Sequence, residues 1–328
     1  MSTVPVVLVT DHPWPDVDTE RSIIEGAGYR LEAGPMQAPT AQAVEALVAT
    51  HDPVAILTCW AQVSATAIRR PTVLKMVGRM GVGLDNIAVA AATARGAWVT
   101  NVPDYCVEEV SDHAVAMLLS MWRGVTSMDR EVKTGLWNSG VAKLRRVAEM
   151  TVGIIGYGNT GSATARKLSE GFRCRVLVNA PSLLRKHRSG DELSPRVFVA
   201  DIATVQQQAD AIVLHAPLTP ASHHLIDAEF LSKLKRKPVL VNVSRGGLVD
   251  NDALCHALDV SLLAGAGLDV IEGEPSPPAT VTLRPDVIAT PHMAFSSDAS
   301  LAELRRRCAE EVVRVLRGEP PRHPCNKV

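Results

Sequence analysis

The glycine-rich turn that begins at Gly156 constrains the fold of this chain more than any other segment. A short apolar run, Thr151–Ile155, leads directly into Gly156-Tyr157-Gly158-Asn159-Thr160-Gly161, and a helical stretch, Ser162–Glu170, follows. In a strand–turn–helix unit of this spacing, the first glycine permits the tight turn, the second lets the backbone approach a pyrophosphate, and the third lets the helix pack closely on the strand. The free N–H groups at the helix N-terminus then face the anion. The segment predicts a dinucleotide site with residues 156–161 in contact with the cofactor; a glycine turn without a ligand is the alternative.

The end of the following strand bears on the type of nucleotide. In NAD-binding units an acidic residue about 20 positions after the glycines binds the 2′-hydroxyl of the ribose. Here Asn179 and Ala180 occupy that position, and three basic residues follow: Arg185, Lys186 and Arg188. Without a carboxylate a 2′-phosphate is not repelled, and Arg185 is a suitable donor to it. An exposed basic turn explains the same residues equally well. The predicted cofactor is therefore NAD or NADP, with NADP slightly favoured.

Short β-branched runs alternate with helical stretches in two consecutive series, which is typical of parallel α/β sheets. The predicted strands are Val6–Thr10, Ala55–Cys59, Lys75–Arg79 and Trp98–Asn101, then Thr151–Ile155, Arg175–Asn179, Ala211–His215, Val239–Asn242, Leu263–Leu268 and Val287–Thr290. Val107–Met128 predicts a long helix between the series, and about Ser300–Leu316 a final amphipathic helix that packs back on the first domain.

The expected fold class is therefore α/β with two doubly wound parallel-sheet domains. Residues 1–102 plus 293–328 are expected to form a discontinuous, flavodoxin-like substrate-binding domain. Residues 103–292 are expected to form a Rossmann-type dinucleotide-binding domain, with the active site in the cleft between the two.

Composition excludes several classes of protein. A hydrophobic fraction of 46% and a charged fraction of 21% fit a globular chain. The formal net charge of −1 indicates no basic surface for nucleic acid or an anionic membrane, and no apolar run is long enough to span a bilayer. The six cysteines are scattered, without C-x-x-C or Cys/His metal-ligand spacing. This pattern predicts a reduced, cytoplasmic protein without a metal site.

Three further segments follow strands of the second series, where ligands bind in open α/β sheets. They are Val241-Asn-Val-Ser244-Arg245-Gly-Gly, Leu268-Asp269-Val-Ile-Glu272-Gly-Glu274-Pro275 and Thr290-Pro291-His292. Other motifs in the expected order are Gly81-Val82-Gly83-Leu-Asp85-Asn86 and His215-Ala-Pro217-Leu-Thr219. With these motifs the chain resembles, over nearly its whole length, the D-isomer-specific 2-hydroxyacid dehydrogenase family, which includes phosphoglycerate, glycerate and formate dehydrogenases.

The resemblance implies an oxidoreductase that acts on the CH–OH group of a small carboxylic acid. His292 matches the family's general acid/base, a role that suits an imidazole because its unperturbed pKa lies near neutral pH. Glu274 matches the acidic partner that orients the imidazole and stabilises its protonated form. Arg245 matches the arginine that holds the substrate carboxylate and carbonyl oxygen through paired N–H donors.

The resemblance also implies the remaining contacts. Backbone N–H groups around Val82 and Gly83 are expected to bind the substrate carboxylate, and Trp60 either borders the substrate or packs between the domains. Asp269 matches the residue that binds the nicotinamide amide. The other expected cofactor contacts are His215, Pro217, Thr219 and Ser244.

Two alternatives to a 2-hydroxyacid dehydrogenase remain at this point. The same scaffold oxidises formate, phosphite or a phosphonate-bearing acid in some relatives. A dinucleotide-sensing corepressor of the C-terminal-binding-protein type shares the fold and the three catalytic residue types, and differs in slow turnover. A homodimer is also implied by the resemblance.

Overall fold

The computed structural model describes residues 4–138 and 144–328, and the chain divides into two compact units. One unit combines Met1–Tyr105 with Ser297–Val328, and the other comprises Cys106–Ser296. The expected boundaries, at 102/103 and 292/293, lie a few residues from these.

The first unit is built on a parallel sheet. Its elements before residue 105 are β1 (Val6–Val9), α1 (Asp18–Gly26), β2 (Arg30–Ala33), α2 (Ala41–His51), β3 (Ala55–Thr58), α3 (Ala65–Arg69), β4 (Met76–Arg79), α4 (Val89–Ala94) and β5 (Trp98–Thr100). The strands pair in the order β2-β1-β3-β4-β5, and all four pairings are parallel. This is the strand order of flavodoxin-like folds.

The second unit carries the larger sheet. Its elements are α5 (Val107–Trp122), α6 (Val125–Lys133), β6 (Thr151–Ile155), α7 (Asn159–Arg166), β7 (Arg175–Asn179), α8 (Pro181–Leu184), β8 (Glu192–Ser194), β9 (Val197–Val199), α9 (Ile202–Gln208), β10 (Ala211–Leu214), α10 (Ala228–Ser232), β11 (Val239–Asn242), α11 (Asn251–Asp259), β12 (Gly265–Leu268), α12 (Ala279–Thr282) and β13 (Val287–Ala289). The sheet order is β13-β12-β11-β10-β6-β7-β9-β8, parallel except for the edge strand β8. Six neighbouring strands of this sheet, β9-β7-β6-β10-β11-β12, have the Rossmann order 3-2-1-4-5-6. The prediction of two doubly wound α/β domains is therefore confirmed.

The central strands of this sheet are buried on both faces. Leu177, Ile212 and Leu240 belong to one hydrophobic cluster, and their strand neighbours Val176 and Val213 belong to the cluster on the opposite face. Burial on both faces explains why these strands read as continuous apolar runs in the sequence.

The predicted helix Val107–Met128 was wrong in its extent. Helix α5 ends at Trp122, and Gly124 takes a φ of 63° before α6 begins at Val125. This left-handed conformation is accessible to glycine at little cost and ends the helix. The segment is therefore two helices.

The final helix, α13 (Asp298–Leu316), belongs to the first unit. Arg305 on α13 forms a salt bridge of 2.8 Å with Glu20 on α1, whose side chain is fully buried. Within the described residues, no helix is both long and apolar enough to cross a bilayer.

Candidate active site

The candidate cofactor site lies at the carboxyl ends of β6 and β10, where the strand order of the second sheet reverses. Gly156 has a φ of 100°, and a Cβ there would lie 2.4 Å from the backbone of His215. A Cβ at Gly161 would lie 2.2 Å from the carbonyl oxygen of Gly156, so α7 starts in contact with the strand end. A Cβ at Gly158 would meet nothing within 4 Å. The open backbone at the N-terminus of α7 fits a pyrophosphate.

A histidine borders this turn. Asn159 and Thr160 form the first turn of α7, Tyr157 is half-buried in the loop, and His215 Nδ1 lies 3.1 Å from Thr160 Oγ1. Burial lowers the pKa of His215 to about 4, so its ring is neutral at neutral pH. Its Nε2 is buried and has no hydrogen-bond partner within residues 4–138 and 144–328. A buried polar atom without a partner beside an anion-binding turn fits a ligand that completes its hydrogen bonding.

The end of β7 also contacts the glycine turn. The N–H of Gly156 donates to the carbonyl oxygen of Asn179 at 2.8 Å. The side chain of Asn179 is buried and donates to the carbonyl oxygen of Ala200 at 2.8 Å. The next residue, Ala180, is buried as well. Arg185, at the end of α8, is exposed. The structure therefore places the strand end at the turn and leaves the arginine in solvent.

Asn242, which sequence reasoning missed, shapes the turn that carries Arg245. Its buried side chain accepts a hydrogen bond from the N–H of Ser244 at 3.1 Å and donates to the carbonyl oxygen of Arg245 at 2.9 Å. Ser244 Oγ donates to the carbonyl oxygen of Ala216 at 2.5 Å, which ties the turn to the loop after β10. The sequence feature that could have revealed this role is a single polar residue, Asn242, at the end of the otherwise apolar strand β11.

The loop after β10 carries two further predicted contacts. Pro217 and Thr219 are both exposed, and Ser222 holds them: its Oγ donates to the carbonyl oxygen of Pro217 at 2.7 Å and accepts from the N–H of Thr219 at 2.8 Å.

The Arg245 turn packs directly on the segment that leads to Glu274. A Cβ at Gly246 would lie 2.3 Å from the backbone of Ile271 and 2.4 Å from that of Glu272. Only glycine allows so close an approach, so the Ser-Arg-Gly-Gly motif fixes one loop against the other.

His292 and Glu274 form a hydrogen-bonded pair. His292 Nδ1 lies 2.7 Å from Glu274 Oε2, and both side chains are partly exposed. His292 has a φ of 52°, an uncommon conformation for a residue with a side chain, and its ring packs edge-on against Phe295 at 6.4 Å. The contact through Nδ1 fixes which edge of the imidazole ring faces Glu274.

Asp269 holds the segment that contains His292. Its carboxylate is almost fully buried and accepts hydrogen bonds from Thr290 Oγ1 at 2.6 Å and from the N–H groups of Met293 and Ala294, each at 2.9 Å. The backbone N–H of His292 donates to the backbone carbonyl oxygen of Asp269 at 2.8 Å. These partners assign Asp269 to positioning His292, while its contact with a nicotinamide amide stays a prediction.

The three predicted substrate contacts outside the second unit lie on loops of the first. The backbone N–H of Trp60 donates to the buried carboxylate of Asp11 at 2.6 Å, and the guanidinium of Arg79 lies 5.5 Å from the centre of the Trp60 ring. Val82, which is exposed, and Gly83 follow β4. Their contact with a substrate stays a prediction.

The strand order and the glycine turn define a dinucleotide-binding α/β protein. The chain belongs to the D-isomer-specific 2-hydroxyacid dehydrogenase family, because the family model for the NAD-binding domain matches residues 115–294. The resemblance inferred from the motifs is thus confirmed.

The relatives agree with this assignment. The chain is 37% identical to a glyoxylate reductase of Korarchaeum cryptofilum over 77% of this chain and 76% of the relative. It is 32% identical to a glycerate dehydrogenase of Methylorubrum extorquens over 75% of this chain and 77% of the relative. Among solved structures, the TT0316 protein from Thermus thermophilus matches with a TM-score of 0.87 and 28% identity, over 98% of this chain and 100% of that one.

Proposed function

We propose that this protein catalyses the reversible, nicotinamide-dependent reduction of a small 2-oxo acid to the D-2-hydroxy acid. The observation that carries the proposal is the His292–Glu274 pair, 2.7 Å apart, on loops of the same sheet as the glycine turn. The names of the relatives make glyoxylate and hydroxypyruvate, the 2-oxo form of glycerate, the first substrates to test.

The residues of the chain divide the proton chemistry between them. When bound, the nicotinamide supplies the hydride. In the reductive direction, Nε2 of protonated His292 gives its proton to the carbonyl oxygen of the substrate, while Glu274 accepts the Nδ1–H and stabilises the imidazolium. Arg245 binds the carboxylate and polarises the carbonyl, which favours the negative charge that develops on its oxygen. In the oxidative direction the neutral His292 takes the hydroxyl proton.

We propose NADP as the slightly preferred cofactor. Neither Asn179 nor Ala180 carries a charge that repels a 2′-phosphate, and Arg185 follows Ala180 across the short helix α8. The 2′-phosphate would bring the exposed arginine to the ribose.

We also propose a homodimer in the cytoplasm. Four large apolar side chains between residues 125 and 137 are exposed: Val125, Val132, Leu136 and Trp137, the last with 88% of its surface accessible. Apolar groups exposed close together in sequence favour an interface. None of the six cysteines forms a disulfide, which suits a reducing compartment. Light scattering on the purified chain measures the molar mass.

Turnover of 2-oxo acids tests the proposed activity. The purified chain is assayed at 340 nm with NADH and with NADPH against glyoxylate, hydroxypyruvate and pyruvate, and the glycerate formed is resolved by chiral chromatography. We expect a kcat within about 1–10³ s⁻¹ for at least one acid, with D-glycerate as the product of hydroxypyruvate. Tight binding of the reduced cofactor without turnover of any of these acids would contradict the proposal and favour a dinucleotide sensor.

A further inference from the structure

Two adjacent histidines and a glutamate converge on the surface of the second unit. His223 Nε2 lies 3.4 Å from Glu272 Oε1, and His224 Nε2 lies 2.9 Å from Glu272 Oε2. The two imidazole rings stack with their centres 3.9 Å apart. The three ligand atoms all lie within 4.8 Å of one another. We refer to His223, His224 and Glu272 as the His–His–Glu cluster.

The spacing within the cluster fits the first coordination sphere of a metal ion. Zn²⁺ binds imidazole nitrogen and carboxylate oxygen at about 2.0–2.2 Å, so neighbouring ligands of a tetrahedral ion are roughly 3.3–3.5 Å apart. The two N···O separations of 3.4 and 2.9 Å, which run to the two oxygens of the Glu272 carboxylate, are close to this value, and the three ligand atoms all lie within 4.8 Å of one another. Two histidines and one glutamate are also the ligands of known zinc sites that keep an open position.

The chemistry of the donors favours a metal ion over a simple ion pair. Two imidazolium ions stacked at 3.9 Å would repel each other, which opposes a double ion pair with Glu272 and Asp250. Neutral imidazoles, in contrast, are the form that binds a metal ion. Asp250 Oδ2 lies 3.9 Å from His224 Nδ1, on the side of the ring away from Glu272, where a carboxylate can orient a metal-bound histidine.

The backbone holds the cluster in place. His224 has a φ of 51°, and its N–H donates to the carbonyl oxygen of Gly247 at 2.9 Å. A left-handed conformation at a residue with a side chain costs about 1–2 kcal/mol, and such strain persists where the surrounding structure enforces it. Asn251 donates to the carbonyl oxygen of Glu272 at 3.1 Å. Both ends of the cluster are thus anchored by hydrogen bonds before any ion binds.

We propose that the His–His–Glu cluster binds one divalent ion of the Zn²⁺ class. This replaces the expectation from the sequence that the chain has no metal site. The ion would link the loop after β10, which carries the two histidines, with the loop after β12, where Glu272 lies two residues before Glu274. The backbone N–H of His224 is also hydrogen-bonded to Gly247, in the turn that follows Arg245. Occupancy would therefore hold three loops of the candidate active site in one arrangement, although the binding itself does not depend on the proposed reaction.

Zn²⁺ titration of the full chain tests the site directly. The protein is treated with EDTA, dialysed into metal-free buffer and titrated with ZnCl₂ in a calorimeter. We expect one site per chain with a Kd in the micromolar range or below. His223 is half exposed, so His223→Ala should fold normally and weaken this site at least tenfold. Glu272→Gln should weaken it as well. His256→Ala is the matched control, because His256 is exposed on α11, and it should titrate as wild type does.

Thermal denaturation with and without Zn²⁺ provides a second readout. An ion that binds only the folded chain at 100 times its Kd adds about 2.7 kcal/mol of stability. The melting temperature of wild type and of His256→Ala should therefore rise with Zn²⁺, and that of His223→Ala should rise much less. Failure of wild type to bind Zn²⁺ at 100 µM would overturn the proposal. Equal titrations of wild type and His223→Ala would overturn it as well, because the bound ion would then lie elsewhere.

Discussion

Replacing Asp269 with asparagine separates a positioning role from a cofactor-binding role. In the structure the Asp269 carboxylate accepts three hydrogen bonds, from Thr290 Oγ1, from the N–H of Met293 and from the N–H of Ala294. These groups flank His292 on both sides. The loss of the carboxylate should therefore displace the proton-transferring ring.

The magnitude follows from the donors that lose their acceptor. Asparagine offers one oxygen and one NH₂ group, so the N–H of Met293 or of Ala294 faces another donor. A buried N–H without an acceptor costs about 1–3 kcal/mol, and the remaining bonds lose the added strength of a charged acceptor, so we expect unfolding to become easier by about 3 kcal/mol. A displacement of the ring by about 1 Å lowers kcat on the order of 10²-fold.

The assay combines three measurements on Asp269→Asn: urea unfolding, kcat for the best 2-oxo acid, and the Kd of NADH and NADPH by fluorescence. We expect lower stability and kcat with the Kd changed by less than a few-fold. Asp201→Asn is the control, because Asp201 is exposed and accepts a single backbone N–H, from Thr204 at 2.8 Å. Unchanged stability together with cofactor affinity weakened tenfold or more would refute the reasoning and assign Asp269 to the nicotinamide amide.

Three further substitutions test other parts of the account. Glu274→Gln removes the carboxylate that faces His292 Nδ1, so the imidazolium loses a charged hydrogen-bond partner and kcat/KM for reduction should fall by about tenfold or more; an unchanged kcat/KM would contradict this. Ala180→Asp should shift the ratio of kcat/KM towards NADH by about tenfold or more, because one charge-assisted hydrogen bond is worth about 1.5–3 kcal/mol. An unchanged ratio would show that the side chain at position 180 does not face the ribose, whereas a strong NADH preference of the wild type would mean that the basic residues after Ala180 do not reach it. His215 has a pKa of about 4 in the folded chain against 6.5 ordinarily, so below pH 6.5 the unfolded chain binds a proton that the folded chain does not, and stability falls as the pH falls towards 4. His215→Asn should remove about 2–3 kcal/mol of this loss between pH 7 and 4.5, and equal pH dependence of urea unfolding in both proteins would argue against the burial of His215.

The strands that position the site could be predicted because they are buried on both faces. Thr151–Ile155, Arg175–Asn179 and Val239–Asn242 have the predicted bounds. Three strands were missed, and all lie at or next to a sheet edge: Arg30–Ala33, Glu192–Ser194 and Val197–Val199, the last only three residues long although both of its valines are buried. In Arg30–Ala33 only Leu31 is buried, and Glu192–Ser194 buries no residue. A strand with one buried side chain or none lacks the apolar run that reveals a central strand.

The candidate site was predictable where local motifs define it and hidden where long-range contacts do. The glycine turn and the segments of Arg245, Glu274 and His292 are short patterns with a specific chemistry. The hydrogen bonds that Asp269 accepts from the backbone N–H groups of Met293 and Ala294 depend on the fold, since these residues lie 24 and 25 positions further along the chain. Likewise, His224 and Glu272 are 48 positions apart and meet only because the ends of β10 and β12 share one edge of the sheet.

The central claim, that His292 transfers the proton, is tested most directly by His292→Ala. His292 is paired with Glu274, and imidazole is the type of side chain that most often transfers protons in catalysis. We expect kcat with the best 2-oxo acid to fall on the order of 10²–10⁴-fold, and NADPH and NADH to bind within a few-fold of wild type, because the glycine turn is untouched. Turnover by His292→Ala within a few-fold of wild type would contradict the account and require another proton donor.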